Sequence, residues 1–588
     1  MDILSTSGIN QFINSYTISE QNKRVTPLEN RKNKYSQLNT AWSDLSSKLG
    51  SLKSVLSELK VSTSSSIFNS RKTEFPANDF LSATASKNAS VSAYTIRVNQ
   101  LAKSDLVLSK TMTSDTSVGS MSGTHTVKIT SGSFSGNVDI ELTGSETNDT
   151  IMSKISAAIN EDSAVVNSSS LVAANTFTGA GDFVIRIGND EDDYTETTIS
   201  YDYTNQSYDT VLDDLVQQIN GNTNGITAEK VVNGANVSLK LTVDDKEQFI
   251  TINQADDTGN LLSGLGIDVA NEKSTSALVS TSLFAPTSGN SKLSFTAKES
   301  GFDNRLIMSD VSGSALNFIG LTNAILTSRT QVAGDDDAGY MYTATSSTDN
   351  ELNSKLTFNG INIQRNSNSV DDLVTNVTFD LKSVMEVTDN DISVGVNIDK
   401  DVIKGKVEEF VKKFNETYTY IKNRFTTDSL GRGIFVGDTT AMSLMNKLSN
   451  TVISKIEGIS DDKINYLSEL GISFDPNLGL SVSDSSKLEN AIKNTPTQVS
   501  DIFNSDSGIA KSLYTTVDSY LGANGTIANM TNSHDKNLNY LNDRIAAIND
   551  SIEKSASVLR SQYEQLQIQL ISLLSNQNFF SQSSGGFF

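Results

Sequence analysis

The 588-residue chain has no cysteine, five prolines and two histidines. Without cysteine there is no disulfide, no thiolate nucleophile and no thiolate-ligated zinc or iron–sulfur centre. The histidines, His125 and His534, are too few for a His triad or a His-rich metal site within one chain. Five prolines leave no Pro-rich linker, while abundant Ser, Thr, Asn and Gly suit helices and antiparallel strands joined by polar turns. No run of about 18 apolar residues occurs, so membrane insertion is not expected. The opening "MDILSTSGINQFINSY" lacks a basic stretch followed by an apolar one, so no cleaved export signal is expected either.

Positive charge is scarce in one region only. Residues 61–400 carry 21 Lys and Arg against 43 Asp and Glu, which is −22 of the total −23. Such a surface repels nucleic acid and anionic membrane, so neither is an expected partner. Motifs for chemistry are also thin. "GRGIFVGD" spaces Gly431, Gly433 and Gly437 one residue too long for a dinucleotide fingerprint and follows helical sequence, so it reads as a loop. "GNDEDDYTE" (188–196) and "GDDDAG" (334–339) lack the EF-hand spacing and read as solvated acidic turns. Carboxylate pairs such as Asp213 and Asp214 are too common here to mark acid–base work. No cofactor, no metal and no enzymatic activity are expected.

What the chain does have is a pair of apolar seams at its two ends. Tyr35, Leu38, Trp42, Leu45, Leu49, Leu52, Leu56 and Leu59 recur at steps of three and four. So do Leu538, Leu541, Ile545, Ile548, Ile552, Ala556, Leu559, Tyr563, Leu566, Leu570 and Leu573, with one stutter. A heptad seam must be buried against another helix, and each seam offers the other a matching stripe. Leu38 to Leu56 are therefore expected to pack on Leu538, Leu541, Ile545 and Ile548. Two unrelated amphipathic helices, each packed on its own domain, is the alternative.

Between the ends the period falls to two. Residues 93–103, 125–132, 182–190, 236–245, 292–300 and 355–365 alternate and read as antiparallel strands. "DTIMSKISAAIN" (149–160) and "DTVLDDLVQQIN" (209–220) form an internal repeat, sharing Asp149/Asp209, Thr150/Thr210, Ile159/Ile219 and Asn160/Asn220. Each reads as a short helix on a sheet, with Ile151, Ile155, Ile159 and Val211, Leu215, Ile219 facing inward. The Asp or Thr before each run is the expected N-cap. "SVDDLVTNVTFDLK" (369–382) resembles the first half of this unit. Helical period returns after Asp399, with Val407, Phe410, Val411, Phe414 and Ile421 on one face. The fold class is α+β multidomain: end helices paired in a coiled-coil or bundle stalk, with antiparallel β-rich domains inserted in mid-chain. The expected division is terminal legs (1–34 with 560–588), a helical stalk (35–75 with 400–559), a β-rich domain (76–108 with 280–399) and outer β-rich insertions (109–279).

An ordered set of stretches resembles the bacterial flagellar filament cap protein family, hook-associated protein 2 (FliD). It comprises "GINQFINSYTISEQNKRVTPLENRKNKYSQLNTAWSDLSSKLGSLKSVL", "FLSATASKNASVSAYTIRVNQLAKS", the two "IN" repeats, "LTFNGINIQRNSNSVDDLVTNVTFDLK", "GIFVGDTTAMSLMNKLSN", "LGISFDPNLGLSVSDSSKLENAI" and the C-terminal seam. The resemblance implies export through the flagellar type III channel and action at the distal filament tip, outside the cell. It implies a homo-oligomeric ring, a pentamer, that promotes folding and insertion of flagellin. Its further partners would be the hook–filament junction protein and a cytoplasmic export chaperone. The terminal segments are then legs that contact flagellin or the junction, through Ile9, Phe12, Ile13, Leu566, Leu570, Leu573, Phe579 and Phe580. The segments are short enough to be marginal helices on their own. Two other readings are another flagellar axial protein at the hook–filament junction, and a secreted adhesin whose outer β domains bind a host glycan or mucin.

Overall fold

Helices Thr6–Arg24 and Thr26–Leu59 are separated by one residue, Val25, which keeps a right-handed helical backbone at φ −93°, ψ −50°. Pro27 has no N–H to donate to the Lys23 carbonyl, so the hydrogen-bond ladder breaks there. In the computed structural model, which describes residues 5–117, 119, 121–427 and 431–584, the seam helix therefore begins at Thr26 and not near Tyr35. Ser5 caps the first helix by accepting a hydrogen bond from the Gly8 N–H.

The chain divides into two units. One comprises Met1–Lys72, Ala85–Val91 and Val396–Phe588 and is mostly helical; the other comprises Thr73–Thr84 and Ser92–Gly395 and holds most of the sheets. In the helical unit, Lys400–Asn423, Thr439–Ile453, Ser485–Asn494, Pro496–Asn504 and Ile509–Leu521 precede one long helix, Thr526–Ser584. Trp42, Leu45, Leu49, Leu52 and Leu56 are completely buried in one core with Phe410, Phe414, Leu444, Leu448, Leu513 and Val517. A small hairpin, Ile472–Asp475 with Gly479–Val482, brings Phe474 edge-on to Tyr418, with ring centroids 5.3 Å apart.

The sheet unit contains two copies of one design, and the second is inserted into the first. The enclosing copy runs strand Ser104–Leu108, hairpin Ser122–Ser131/Phe134–Thr143 and helix Asn148–Glu161, then resumes at hairpin Val279–Phe284/Asn290–Ser300. The inserted copy repeats that order: strand Val165–Asn167, hairpin Thr176–Gly188/Tyr194–Ser207, helix Tyr208–Asn222 and hairpin Ile226–Asn233/Asn236–Val243. Correspondence extends to single bonds. The Asn160 side chain donates to Thr281 O at 3.0 Å and accepts from Thr281 N at 3.0 Å. Asn220 makes the same pair with Ala228, at 2.9 and 2.8 Å. Thr281 and Ala228 are each the third residue of their strand.

Ser109 N donates to Leu293 O while its hydroxyl accepts from Leu293 N; Ser168 does both with Leu239. The registers agree as well, with Phe295 opposite Val107 and Leu241 opposite Val166. Each copy has its own core, Val107 to Tyr340 in one and Ala164 to Ile267 in the other.

Several expectations need correcting. A boundary at 108/109 and 279/280 would cut the enclosing copy, whose core joins Val107, Leu293 and Phe295 to Val127, Ile151 and Ile155. The "IN" helices are capped two to three residues earlier than expected, by Thr147 accepting from Thr150 N and Ser207 accepting from Thr210 N, which leaves Asp149 and Asp209 in the first turn. Residues 369–382 form a hairpin, Ser369–Val374 with Val377–Leu381, because Asn376 takes a left-handed turn conformation at φ 65°. Residues 355–365 are likewise a hairpin, Ser354–Phe358 with Ile361–Arg365, closed by Asn359 and Gly360, both at positive φ.

The acidic "GDDDAG" loop has its cation built in. Lys292 Nζ donates to Asp337 O at 3.1 Å and to Asp335 O. Among the described residues no His, Cys, Asp and Glu group could hold a metal ion, and no helix is long and apolar enough to cross a membrane.

Candidate functional site

The two ends of the chain meet within the helical unit, and three contacts fix their register. Asn39 Nδ2 donates to Asp535 Oδ1 at 2.6 Å, and Arg560 Nη1 donates to Asn10 Oδ1 at 2.6 Å. The Phe12 and Tyr563 rings lie 4.9 Å apart. Residue numbers rise on one side as they fall on the other, so the long C-terminal helix runs antiparallel to the first two helices. Val25, Ile545 and Ile552 form a buried cluster at the middle of this contact, flanked by Leu28 and Ile548. Where the contact begins, His534 Nδ1 is 2.9 Å from Asn39 Oδ1, and its ring lies 5.5 Å from that of Tyr35. Burial lowers the His534 pKa below its usual 6.5, against the weaker pull of Asp438 and Asp535.

The register differs from the one expected. Leu45, Leu49, Leu52 and Leu56 do not pack on Leu541, Ile545 or Ile548; helices 400–423 and 509–521 cover them, and helix 439–453 packs on those two. A heptad stripe demands a partner but does not name one. Phe410, Phe414 and Tyr418 bury large rings, and polar bonds reinforce their helix. Tyr420 donates to Ala41 O at 2.9 Å under the Arg424 guanidinium, 3.4 Å from its centroid. Lys406 pairs with Glu58 at 3.0 Å. On the opposite side Lys53 pairs with Asp518 at 2.6 Å, a hydrogen bond that raises the Lys53 pKa.

Glu489, held by Lys404 and Lys400, is lowered to about 2 and ties helix 485–494 to helix 400–423. Tyr35 and Leu38 are half-buried; Leu541 is buried and Leu538 half-buried. Of the loop "GRGIFVGD", Phe435 is buried with its ring 5.1 Å from Trp42.

The leg residues separate into three groups. Ile9 and Ile13 are only 2% and 5% exposed, so they belong to the chain's own interior and not to a free contact surface. Phe12 is exposed on one side and meets the Tyr563 ring, tilted by 52°, with the other. Leu566, Ile568, Leu570, Ile571, Leu573 and Leu574 are 42–67% exposed. In the antiparallel register Asn10 stands opposite Arg560, and the first helix begins at Thr6. Phe579 and Phe580 have side chains outside the described residues.

Sequence reasoning missed helix 509–521, which covers the seam, and helix 439–453, which packs on helices 400–423 and 509–521. Their signal was present in Ala441, Leu444, Leu448 and Val452, and in Leu513, Val517 and Tyr520, spaced for one helical face.

Distant segments of the chain thus fold into one helical unit, and the apolar residues of Leu566–Leu574 stay exposed among the described residues. Family models described as the flagellar hook-associated protein 2 N-terminus and C-terminus match residues 5–105 and 352–574, between them more than half of the chain. The chain belongs to the flagellar hook-associated protein 2 family. It is 22% identical over 343 residues to the A-type flagellar hook-associated protein 2 of Pseudomonas aeruginosa, covering 57% of this chain and 68% of that one. It is 27% identical over 354 residues to the B-type protein of Pseudomonas aeruginosa PAO1, covering 56% and 69%.

The crystal structure of the flagellar cap protein FliD D1-D2-D3 domains from Escherichia coli shares the fold, with a TM-score of 0.51 and 18% identity over 84% of this chain and 99% of that one. Residues 106–351, which carry most of both nested copies, lie outside the two family matches.

Proposed function

We propose that this chain caps the distal end of the bacterial flagellar filament as a structural protein, acting outside the cell. Membership of the hook-associated protein 2 family supports this reading, and the uncovered apolar stripe at Leu566–Leu574 carries it at residue level. About 25 cal/mol per Å² of apolar surface is gained when such a stripe leaves water. The stripe of Leu566, Leu570, Leu573 and Leu574 on one helix face is thus a strong docking element that no described residue covers.

The partners in this reading are further copies of the chain, as a ring, and flagellin or the hook–filament junction protein at the stripe. Ring size, the pentamer included, and an export chaperone that shields the stripe before assembly belong to the same proposal. Incoming flagellin would fold beneath the ring and be retained.

The test is complementation. A strain lacking this chain should release unassembled flagellin and show missing filaments. A version with Leu566, Leu570 and Leu573 changed to Ser should be exported and folded yet fail to restore filaments. Full restoration by that variant would refute the role given to the stripe.

A further inference from the structure

The nested duplication makes the sheet unit its own control, and one difference between the copies points to a site. In the enclosing copy, strand Ser104–Leu108 is covered on its outer side by Gly339–Tyr340, with Gly339 opposite Leu108 and Tyr340 opposite Val107. Met341 N completes this pairing by donating to Leu106 O at 2.8 Å. The equivalent strand of the inserted copy is Val165–Asn167. Ser168 N donates to Leu239 O, and Val166 lies opposite Leu241, so residues 166 and 168 point their backbone groups inward. Val165 and Asn167 therefore point theirs the other way, as Leu106 and Leu108 do. Among the described residues no strand pairs with that side. The reason is topological: after Gly266 and Ile267 the inserted chain leaves for strand Val269–Lys273, whereas the enclosing chain turns back after Gly320 and Leu321 to supply the covering segment.

A cavity of about 550 Å³ lies at this edge, lined among others by Asn137, Asp139, Glu161, Asp162, Val165 and Asn167. Its lining holds no Lys or Arg among the described residues, and Lys246 beside it donates to the Glu161 carbonyl at 2.9 Å. Burial pushes the Asp162 carboxyl above its ordinary range, although it accepts bonds from Thr275 N and Oγ1. An edge with unpaired backbone groups is a template for an added strand.

We propose that the Val165–Asn167 edge and its acidic cavity receive an extended, basic segment of a partner protein by strand addition. The occupant's backbone would accept from Asn167 N–H and donate to Val165 C=O, repeating what residues 339–341 do in the enclosing copy. A cationic side chain would then face Asp139 and Glu161. A second copy of this chain is the weaker candidate, because residues 61–400 carry −22 and the two sheet units would repel one another. The inference stands apart from the capping reading.

The experiment uses the full chain and a fluorescent peptide, KAGYMYK, which is the chain's own covering segment 338–342 with a lysine at each end. Fluorescence anisotropy should show saturable binding that weakens with salt. Asn167→Pro removes the outward N–H and should weaken binding about tenfold or more, while Asn167→Ala should change it less than about twofold. Paired Asp139→Asn and Glu161→Gln changes should weaken it severalfold without touching the backbone. Amide exchange of Asn167 in the unaltered chain should slow when peptide is added, a reading that needs no variant to fold. No binding, equal binding by Asn167→Pro, or unaltered exchange at Asn167 would overturn the proposal. So would protection of Asn167 that rises with chain concentration in the absence of peptide, since the occupant would then be a second copy.

Discussion

The helical unit and the sheet unit solve the same burial problem in opposite ways. In the helical unit, segments some 350 to 500 residues apart in sequence supply one core, and the seam at Leu45–Leu56 is closed by helices from the far half of the chain. In the sheet unit, one design is interrupted by a copy of itself, and each copy keeps a separate core. The helical unit leaves its large apolar residues uncovered at one end, Leu566–Leu574, whereas the sheet unit leaves backbone groups uncovered at one edge, Val165–Asn167. A helix satisfies its own backbone and can expose only side chains; a strand can bury its side chains and still expose its backbone. What each unit can offer a partner follows from that difference.

The sharpest way to break the comparison is at the buried ion pair of the enclosing copy. Arg329 Nη2 donates to Asp105 Oδ2 at 2.7 Å, Asp105 is fully buried, and Arg329 also donates to Leu306 O and Thr343 O. Asp105→Ala leaves that guanidinium unpaired and should cost about 3–5 kcal/mol in denaturant unfolding. If the two units unfold separately, only the transition of the sheet unit moves. Next comes Leu49→Ala, which opens a cavity among fully buried residues of the helical unit and should cost about 2–5 kcal/mol in the other transition.

Asn160→Ala and Asn220→Ala sharpen the nested comparison. Each deletes two hydrogen bonds to a strand backbone and should cost about 1–3 kcal/mol, and equal losses would show that the copies use the clamp alike. Asn→Asp at either site should be no better than Ala, since a carboxylate cannot donate to the strand carbonyl.

A smaller effect is expected from His534. Its folded pKa lies below 6.5, so the fold favours the neutral ring. Stability of the helical unit is complete above about pH 6.5 and declines as pH falls below it, because the unfolded chain then binds the extra proton. His534→Gln should flatten that decline, read by helix content against pH. Smallest of all is deletion of 566–588. It removes side chains that are mostly exposed where described and should shift unfolding by less than about 0.5 kcal/mol while abolishing filament capping.

Legibility differed between the units for a physical reason. The 3.5-residue period of Leu38–Leu59 and the face of Val407, Phe410, Phe414 and Ile421 are local patterns, and they stand in the sequence as helices. The partner of each stripe is a question of fit among many similar stripes, so the closing of Leu45–Leu56 by helices 400–423 and 509–521 was not legible. The "IN" repeat gave away two helices and their inward faces. Its larger frame stayed hidden, since Ser109 and Ser168, or Phe295 and Leu241, correspond in position without corresponding in residue context. Asn160 and Asn220 were visible as a match, but their role as a backbone clamp needs the strand beside them.

By itself the sequence determined the composition-level limits, the helical ends, the alternating middle, and an apolar stripe reaching to Leu573, because those depend on residue type and spacing along one segment. Tertiary structure alone decided that Ile9 and Ile13 face inward, that Ile545 meets Val25 and not Leu45, and that one sheet edge is paired while, among the described residues, its twin is unpaired. Those outcomes depend on where the chain goes after leaving an element, and a stripe or a strand carries no record of that.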